Sequence, residues 1–497
     1  MTSYVLYHRL DIEVPMTHVW PRFLGAITLL LGLLLQTTPL LSQTGNWPAF
    51  RGADAMPVAE ENPLLPTTWD TTNNVIWQTP IAGLGWSSPV VWGDRLFLTT
   101  VVSEGESQEP RMGLYFPFGS PEVFPESDGR FPDPGPGDLM EREQDPHHWL
   151  VYAIDFESGE VAWTTEVNVD VPQFDRHLKN TYASATPVTD GERIYAYFGN
   201  VGVFAIDMAG SVVWERRFEP QTTRLGWGHA ASPVLHENTL FIVNDNDGRS
   251  FIIALDAATG QERWHVERDE GTNWSTPFVW QHEDRSEIVT AGSDQVRSYD
   301  LDGRELWNFR GLNSISIPQP FSAHGLLYVT SGYVGDTVRP VYAIRPGATG
   351  DISLEAGQQS NEAIVWYDDS AGPYHPTPLV YGDYYFTLLD RGFYTVHDAR
   401  TGEEQYFTER QILDQQVRRR IAPGASGFTA SPWAYNDKVF VLSEDGDTYV
   451  IDTADNFNVV AINSLDQVAM SSPAIARGSL FIRTRSHLWR LSNTGPN

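Results

Sequence analysis

Eight times along the chain a three-residue motif ending in proline opens the same sequence unit. The prolines are Pro89, Pro187, Pro233, Pro277, Pro320, Pro378, Pro432 and Pro473, in the contexts SSP, ATP, ASP, STP, PQP, PTP, ASP and SSP. Their spacings are 98, 46, 44, 43, 58, 54 and 41 residues, and the first falls to 53 once the 45-residue insert Ser103–His147 is set aside. A repeat of this period is that of a four-stranded propeller blade.

Within each unit the alternation is that of strands. In the second copy Arg193–Phe198 reads as one strand, Gly199-Asn200 as its turn and Val203–Asp207 as the next strand. Asp207 and Gly210 then turn the chain into Val212-Val213-Trp214, with Asp supplying a side-chain acceptor and Gly a left-handed φ. The same Asp, Gly, Trp set recurs as Asp155, Gly159, Trp163; Asp256, Gly260, Trp264; and Asp300, Gly303, Trp307. The fifth copy has Arg345, Gly350 and Trp366 around an insertion, the sixth Asp398, Gly402 and Tyr406, and the seventh only Asp452. These tryptophans are expected to be flat staples between neighbouring blades. The eighth copy stops after His487–Leu491, one strand short, while Asn74–Gln78 reads as an outer strand with its Trp77 in register. The expected architecture is therefore all-β: an eight-bladed β-propeller in one domain over residues 46–492, its last blade closed by an N-terminal strand. Closure removes the sheet edges that an open array would expose.

The pattern A-x-D-x-x-T-G-x-x-x-W, clearest from Ala254 to Trp264, resembles the PQQ-like (pyrroloquinoline-quinone-like) propeller repeat. The stretches Asn46–Gly52 and Asp269–Pro277 are similar to a secreted bacterial, BamB-like branch of that family. For the dehydrogenases of the family, the resemblance implies PQQ with Ca²⁺, a vicinal disulfide and in some a haem domain. The chain has no cysteine, so the disulfide, a thioether-linked haem and a lipidated N-terminal Cys are all excluded. No metal ligand set, nucleophile elbow, P-loop, dinucleotide turn or HExxH stands in the sequence. The resemblance therefore implies a fold more firmly than an activity.

Acidic residues outnumber basic ones 64 to 33, a formal charge of −31, and only Lys179 and Lys438 are lysines. Nucleic acid and anionic membranes are excluded as partners. The 13-residue apolar run Phe23–Leu35 has the length of a signal-peptide core, not that of a spanning helix. Residues 1–42 are read as a signal region, with a start at Met16 and cleavage near Ser42, or as a retained short anchor. Either reading places the body in the periplasm or outside the cell.

In a propeller the loops between blades and the loops between second and third strands share one face around a central funnel. Aromatic or imidazole residues just before the proline motifs are candidates for that face: Trp86, Tyr182, His229, Trp274, His375 and Phe428, beside Ile317 and Met470. Such a ring could stack a planar ligand, a sugar or a peptide side chain, and packing at the funnel mouth would place the same residues there. The second-to-third-strand turns add Asp294, Asp390, Arg391, Glu444 and Arg485. The Pro-rich acidic insert 103–147 is a loop of blade one suited to contacting a partner, and Arg418–Arg420 is a solvated interblade triplet. The expected function is a non-catalytic binding or scaffolding propeller that takes a protein, glycan or small ligand at the funnel, with no cofactor and no metal. The alternative is a quinoprotein oxidoreductase with PQQ and Ca²⁺ on the aromatic face. A sugar-processing enzyme with two funnel carboxylates is the third reading.

Overall fold

Eight sheets, each with a four-stranded antiparallel unit, succeed one another along the chain in the computed structural model. It describes residues 45–113, 143–333, 335–405, 411–412, 427–454 and 457–493. Most of the insert 103–147, the apolar run Phe23–Leu35, Tyr406 and Arg418–Arg420 lie outside the described residues.

Blade two shows the unit: Val188–Thr189 nearest the axis, then Arg193–Tyr197, Val203–Asp207 and Val212–Arg216 outermost. Exposure follows position. The two middle strands are almost wholly buried, while the outer strand alternates toward solvent, because only the middle strands are covered by neighbouring blades on both faces. The last blade combines Ala474–Ala476, Ser479–Arg483 and His487–Leu491 with Val75–Pro80, which runs antiparallel to His487–Leu491 with Gln78 opposite Trp489. Its inner strand touches Val90–Trp92 of blade one, so the ring closes.

The outer-strand tryptophans join the blades through a repeated hydrogen bond. The indole N–H of Trp163 donates to Met208 O at 3.1 Å, Trp214 to Ala257 O at 2.9 Å, Trp264 to Leu301 O at 2.7 Å and Trp366 to Ala399 O at 3.0 Å. Trp77 does the same to Phe156 O at 3.0 Å across the closing junction. In each case the turn of the next blade lies on the ring through its glycine: a Cβ on Gly260 would stand 2.6 Å from Trp214. Glycine is thus required twice at this position, for a φ of +71° and for the close approach.

Blade four departs from the expected pattern. The blade-five insertion places Gly350–Asp351 beside Glu305–Arg310 as a fifth, parallel strand. Gly350 is therefore not the turn glycine of the repeat, and nothing lies within 4 Å of where its Cβ would be. Trp307, covered by the added strand, is fully buried and turns its N–H inward to Glu287 at 2.6 Å. That buried carboxylate also accepts from His282, Arg285 and Ser298.

The residues before the closing strand cross the face opposite the funnel mouth. Trp47 pairs with Val91 of blade one, Val58 bridges to Ala434 of blade seven, and buried Arg51 donates to Pro378 O at 2.6 Å. Burial pulls the Arg51 guanidinium down to about 9, still charged at neutral pH.

Candidate functional site

Two concentric rings of side chains line the axis, and both derive from the proline motifs. The residue just before each proline forms the inner ring: Ser88, Thr186, Ser232, Thr276, Gln319, Thr377, Ser431 and Ser472. Six junctions between adjacent blades carry one bond type, a backbone N–H donated to the next blade's hydroxyl: Ser88 to Thr186, Thr186 to Ser232, Ser232 to Thr276, Gln319 to Thr377, Thr377 to Ser431 and Ser431 to Ser472, all at 2.9–3.0 Å. Two junctions depart from it: Ser472 to Ser88, and Thr276 to Gln319, where no hydroxyl is present and the longer side chain of Gln319 reaches back to Pro277 O at 3.1 Å. Each accepting hydroxyl keeps its own O–H, and all seven Ser and Thr members line the funnel cavity.

Two residues earlier, on the same side of an extended chain, stand Trp86, Ser184, Ala230, Trp274, Ile317, His375, Thr429 and Met470, and all eight line that cavity. Phe50 lines it too, and also a cavity among the first strands of blades two to four, so it separates the two along the axis. The funnel cavity measures ≈190 Å³.

This register sorts the expected site residues. Trp86, Trp274 and His375 meet in the funnel. Tyr182, His229 and Phe428 are out of register by one or two residues and go elsewhere. Tyr182 and His229 line a second cavity between blades one and two, and Phe428 is buried against Tyr449, ring centroids 6.1 Å apart. Asp294 pairs with Arg310 at 2.8 Å, with both side chains about half exposed or more. Asp390 is buried and accepts from Arg339 at 3.3 Å, with Arg391 next to it in the same turn. Arg485 forms a two-pronged pair with Glu109 at 2.5 and 2.6 Å. None of these four lines the funnel. Glu444 does not line it either, but bears on it: fully buried, it accepts from the Lys179 ammonium, from Thr429 Oγ1 at 2.7 Å and from the Gly113 N–H at 2.7 Å.

Sequence reasoning missed His177, Lys179, Trp227 and Tyr374, which enter the funnel from longer interblade loops. Lys179 carried a signal, being one of two lysines in the chain. The aromatic groups interlock: Trp227 lies 5.8 Å from Trp274 and 5.1 Å from His177, and Tyr374 lies 3.9 Å from His375. The indole N–H groups of Trp86 and Trp274 are spent on Lys179 O and Gly228 O, at 2.8 and 2.7 Å. Those rings therefore offer the cavity apolar surface. Burial, with Lys179 beside it, takes His177 down to about 3, and burial, Lys179 and His177 hold His375 well below its ordinary range. Both imidazoles are neutral at pH 7, and the ammonium is cancelled by Glu444.

The donor set does not suit PQQ with Ca²⁺. Among the described residues no group of three or more His, Asp or Glu side chains is placed to hold a metal ion, and the funnel's nearest carboxylate, Glu444, already has three donors. A tricyclic tricarboxylate would also need more room than a cavity of ≈190 Å³, and more positive charge than the one neutralised lysine that lines it among the described residues.

The family model for outer membrane protein assembly factor BamB matches residues 140–249, 203–345 and 248–495, and the chain belongs to that family. Membership points to a periplasmic or secreted protein. No curated protein matches the sequence. Among solved structures, BamB from Moraxella catarrhalis is 10% identical with a TM-score of 0.51, covering 85% of this chain and 99% of its own. Quinohemoprotein alcohol dehydrogenase from Comamonas testosteroni is 12% identical with a TM-score of 0.55, covering 91% and 81%. At these identities both likenesses are of fold. No helix among the described residues is long and apolar enough to cross a membrane.

Proposed function

We propose that this protein is an exported, non-catalytic propeller that binds an uncharged sugar ring in its funnel. One observation carries the reading: aromatic walls stand over a floor of hydroxyls in a cavity whose charges cancel internally. Indole rings stack on the apolar face of a pyranose, while hydroxyls that already accept a backbone N–H remain as donors to sugar oxygens. A volume of ≈190 Å³ lies below the roughly 300–1,000 Å³ of pockets for larger ligands, which favours a single ring. His375, which lines the funnel, also carries a buried Nδ1 without a hydrogen-bond partner among the described residues.

The test is calorimetric titration with glucose, galactose and N-acetylglucosamine, with PQQ plus Ca²⁺ as a control. Saturable binding of an uncharged sugar, weakened at least tenfold by Trp274→Ala, is expected. Binding of PQQ alone, or of no sugar at millimolar concentration, would overturn the reading.

A further inference from the structure

We infer that the funnel is one of two adjoining subsites, and that the ligand is a chain of at least two linked sugar rings. The inference rests on the sugar reading above and extends it. The second cavity, ≈290 Å³, lies between blades one and two and is walled by Phe174, Tyr182 and Phe218. Ser184 belongs to both cavities, because this member of the outer ring is small where others are Trp or His. The partition beside it is thin. Asn180 donates to Trp227 O at 2.8 Å and His229 O at 3.2 Å, and accepts from Ser184 Oγ at 2.5 Å. Along that loop Trp227 faces the funnel, whereas Gly228 and His229 face the second cavity.

A residue lining each cavity also carries a buried polar atom without a hydrogen-bond partner among the described residues. In the funnel it is His375 Nδ1. In the second cavity it is the indole N–H of Trp149, a residue 2% exposed, with no hydrogen-bond partner among the described residues. An indole nitrogen can only donate, so an acceptor oxygen on the ligand is what it lacks. Asp170, Asp175 and Arg217 line this cavity, Arg217 being engaged by Glu215 at 3.2 Å and Asn168 at 2.7 Å, and burial holds the imidazole of His229 down at about 4. An anionic sugar would therefore be repelled, and a neutral one is the class that fits. Aromatic walls repeat the funnel's chemistry further from the axis, with carboxylates in place of its hydroxyls as partners for a sugar.

The experiment is a chain-length series on the full protein: glucose, and α-1,4- and β-1,4-linked glucose and β-1,4-linked N-acetylglucosamine oligomers of two to six residues, by calorimetry. Occupying both subsites should tighten the dissociation constant by roughly tenfold or more between one ring and three, then level off. Trp149→Phe keeps an aromatic ring and removes the N–H, and should cut the affinity for the trimer by more than it changes that for glucose. An affinity equal for all lengths, or a length effect untouched by Trp149→Phe, would overturn the two-subsite inference while leaving the funnel reading intact. Absence of binding at every length would overturn both.

Discussion

Lys179→Met should destabilise the protein more than the double variant Lys179→Met, Glu444→Gln. Glu444 is fully buried and the lysine side chain is 7% exposed, so water screens neither charge. Removing the ammonium leaves a carboxylate with only the Thr429 hydroxyl and the Gly113 N–H as donors. Breaking one side of a buried pair costs about 3–5 kcal/mol, and the two remaining donors place this case near 3. Glu444→Gln leaves an uncompensated ammonium beside the aromatic funnel at a similar cost. The double variant removes both charges and should lose only the net value of the lost hydrogen bonds, about 1–2 kcal/mol. For a propeller of roughly 450 residues, an unfolding entropy of about 2.1 cal/mol/K per residue converts 3 kcal/mol into about 3 °C. Scanning calorimetry should therefore give single variants about 3 °C below the parent and a double variant between them and it. Additive losses, near 6 °C for the double variant, would refute the claim that Lys179 and Glu444 act as one coupled buried pair.

Gly260→Ala and Gly382→Ala separate strain from contact. Both glycines have positive φ, +71° and +59°, but only at Gly260 does a new Cβ meet a ring, Trp214, at 2.6 Å. Gly382→Ala should cost about 1 kcal/mol and Gly260→Ala about 3, and equal losses in urea unfolding would count against the staple. His229 titrates at about 4 when folded, so between that value and its unfolded value near 6.5 the unfolded chain binds more protons. Its contribution to stability is complete above pH 6.5 and is lost as the pH falls toward 4. In His229→Gln the melting temperature should decline less steeply over that window, and an unchanged slope would show that this imidazole does not carry it. Ser232→Ala leaves the Thr186 N–H without its acceptor and should cost about 1–2 kcal/mol, while Ser232→Thr should restore it. If both variants melt alike, the hydroxyl ring is not a structural girdle.

The repeat made the fold legible because propeller blades are local structures. Strand, turn and tryptophan lie within one period, and closure follows from the missing last strand. The one misplaced element, Gly350, shows the limit. Sequence spacing could not reveal that an insertion in blade five pairs with blade four, since that pairing depends on where the next blade sits. Trp307 was misread for the same reason: its residue type fits the staple, but the turn that should receive its N–H is replaced by an added strand.

The funnel was half legible, and the reason is a matter of register. Residue type suggested Trp86, Tyr182, His229, Trp274, His375 and Phe428 as one ring, although their distances to the next proline differ. Position decides instead. An extended chain places alternate residues on one side, so the residue at the motif's serine or threonine and the one two places earlier must share the axial face. Every residue at the earlier position lines the cavity, including the small residues Ser184, Ala230 and Thr429. Their smallness is informative. It opens gaps in the wall through which His177, Lys179, Trp227 and Tyr374 enter from the longer loops, and at Ser184 it brings the second cavity against the first. The shape of the funnel cavity therefore depends on which of its eight positions are small as much as on which are aromatic.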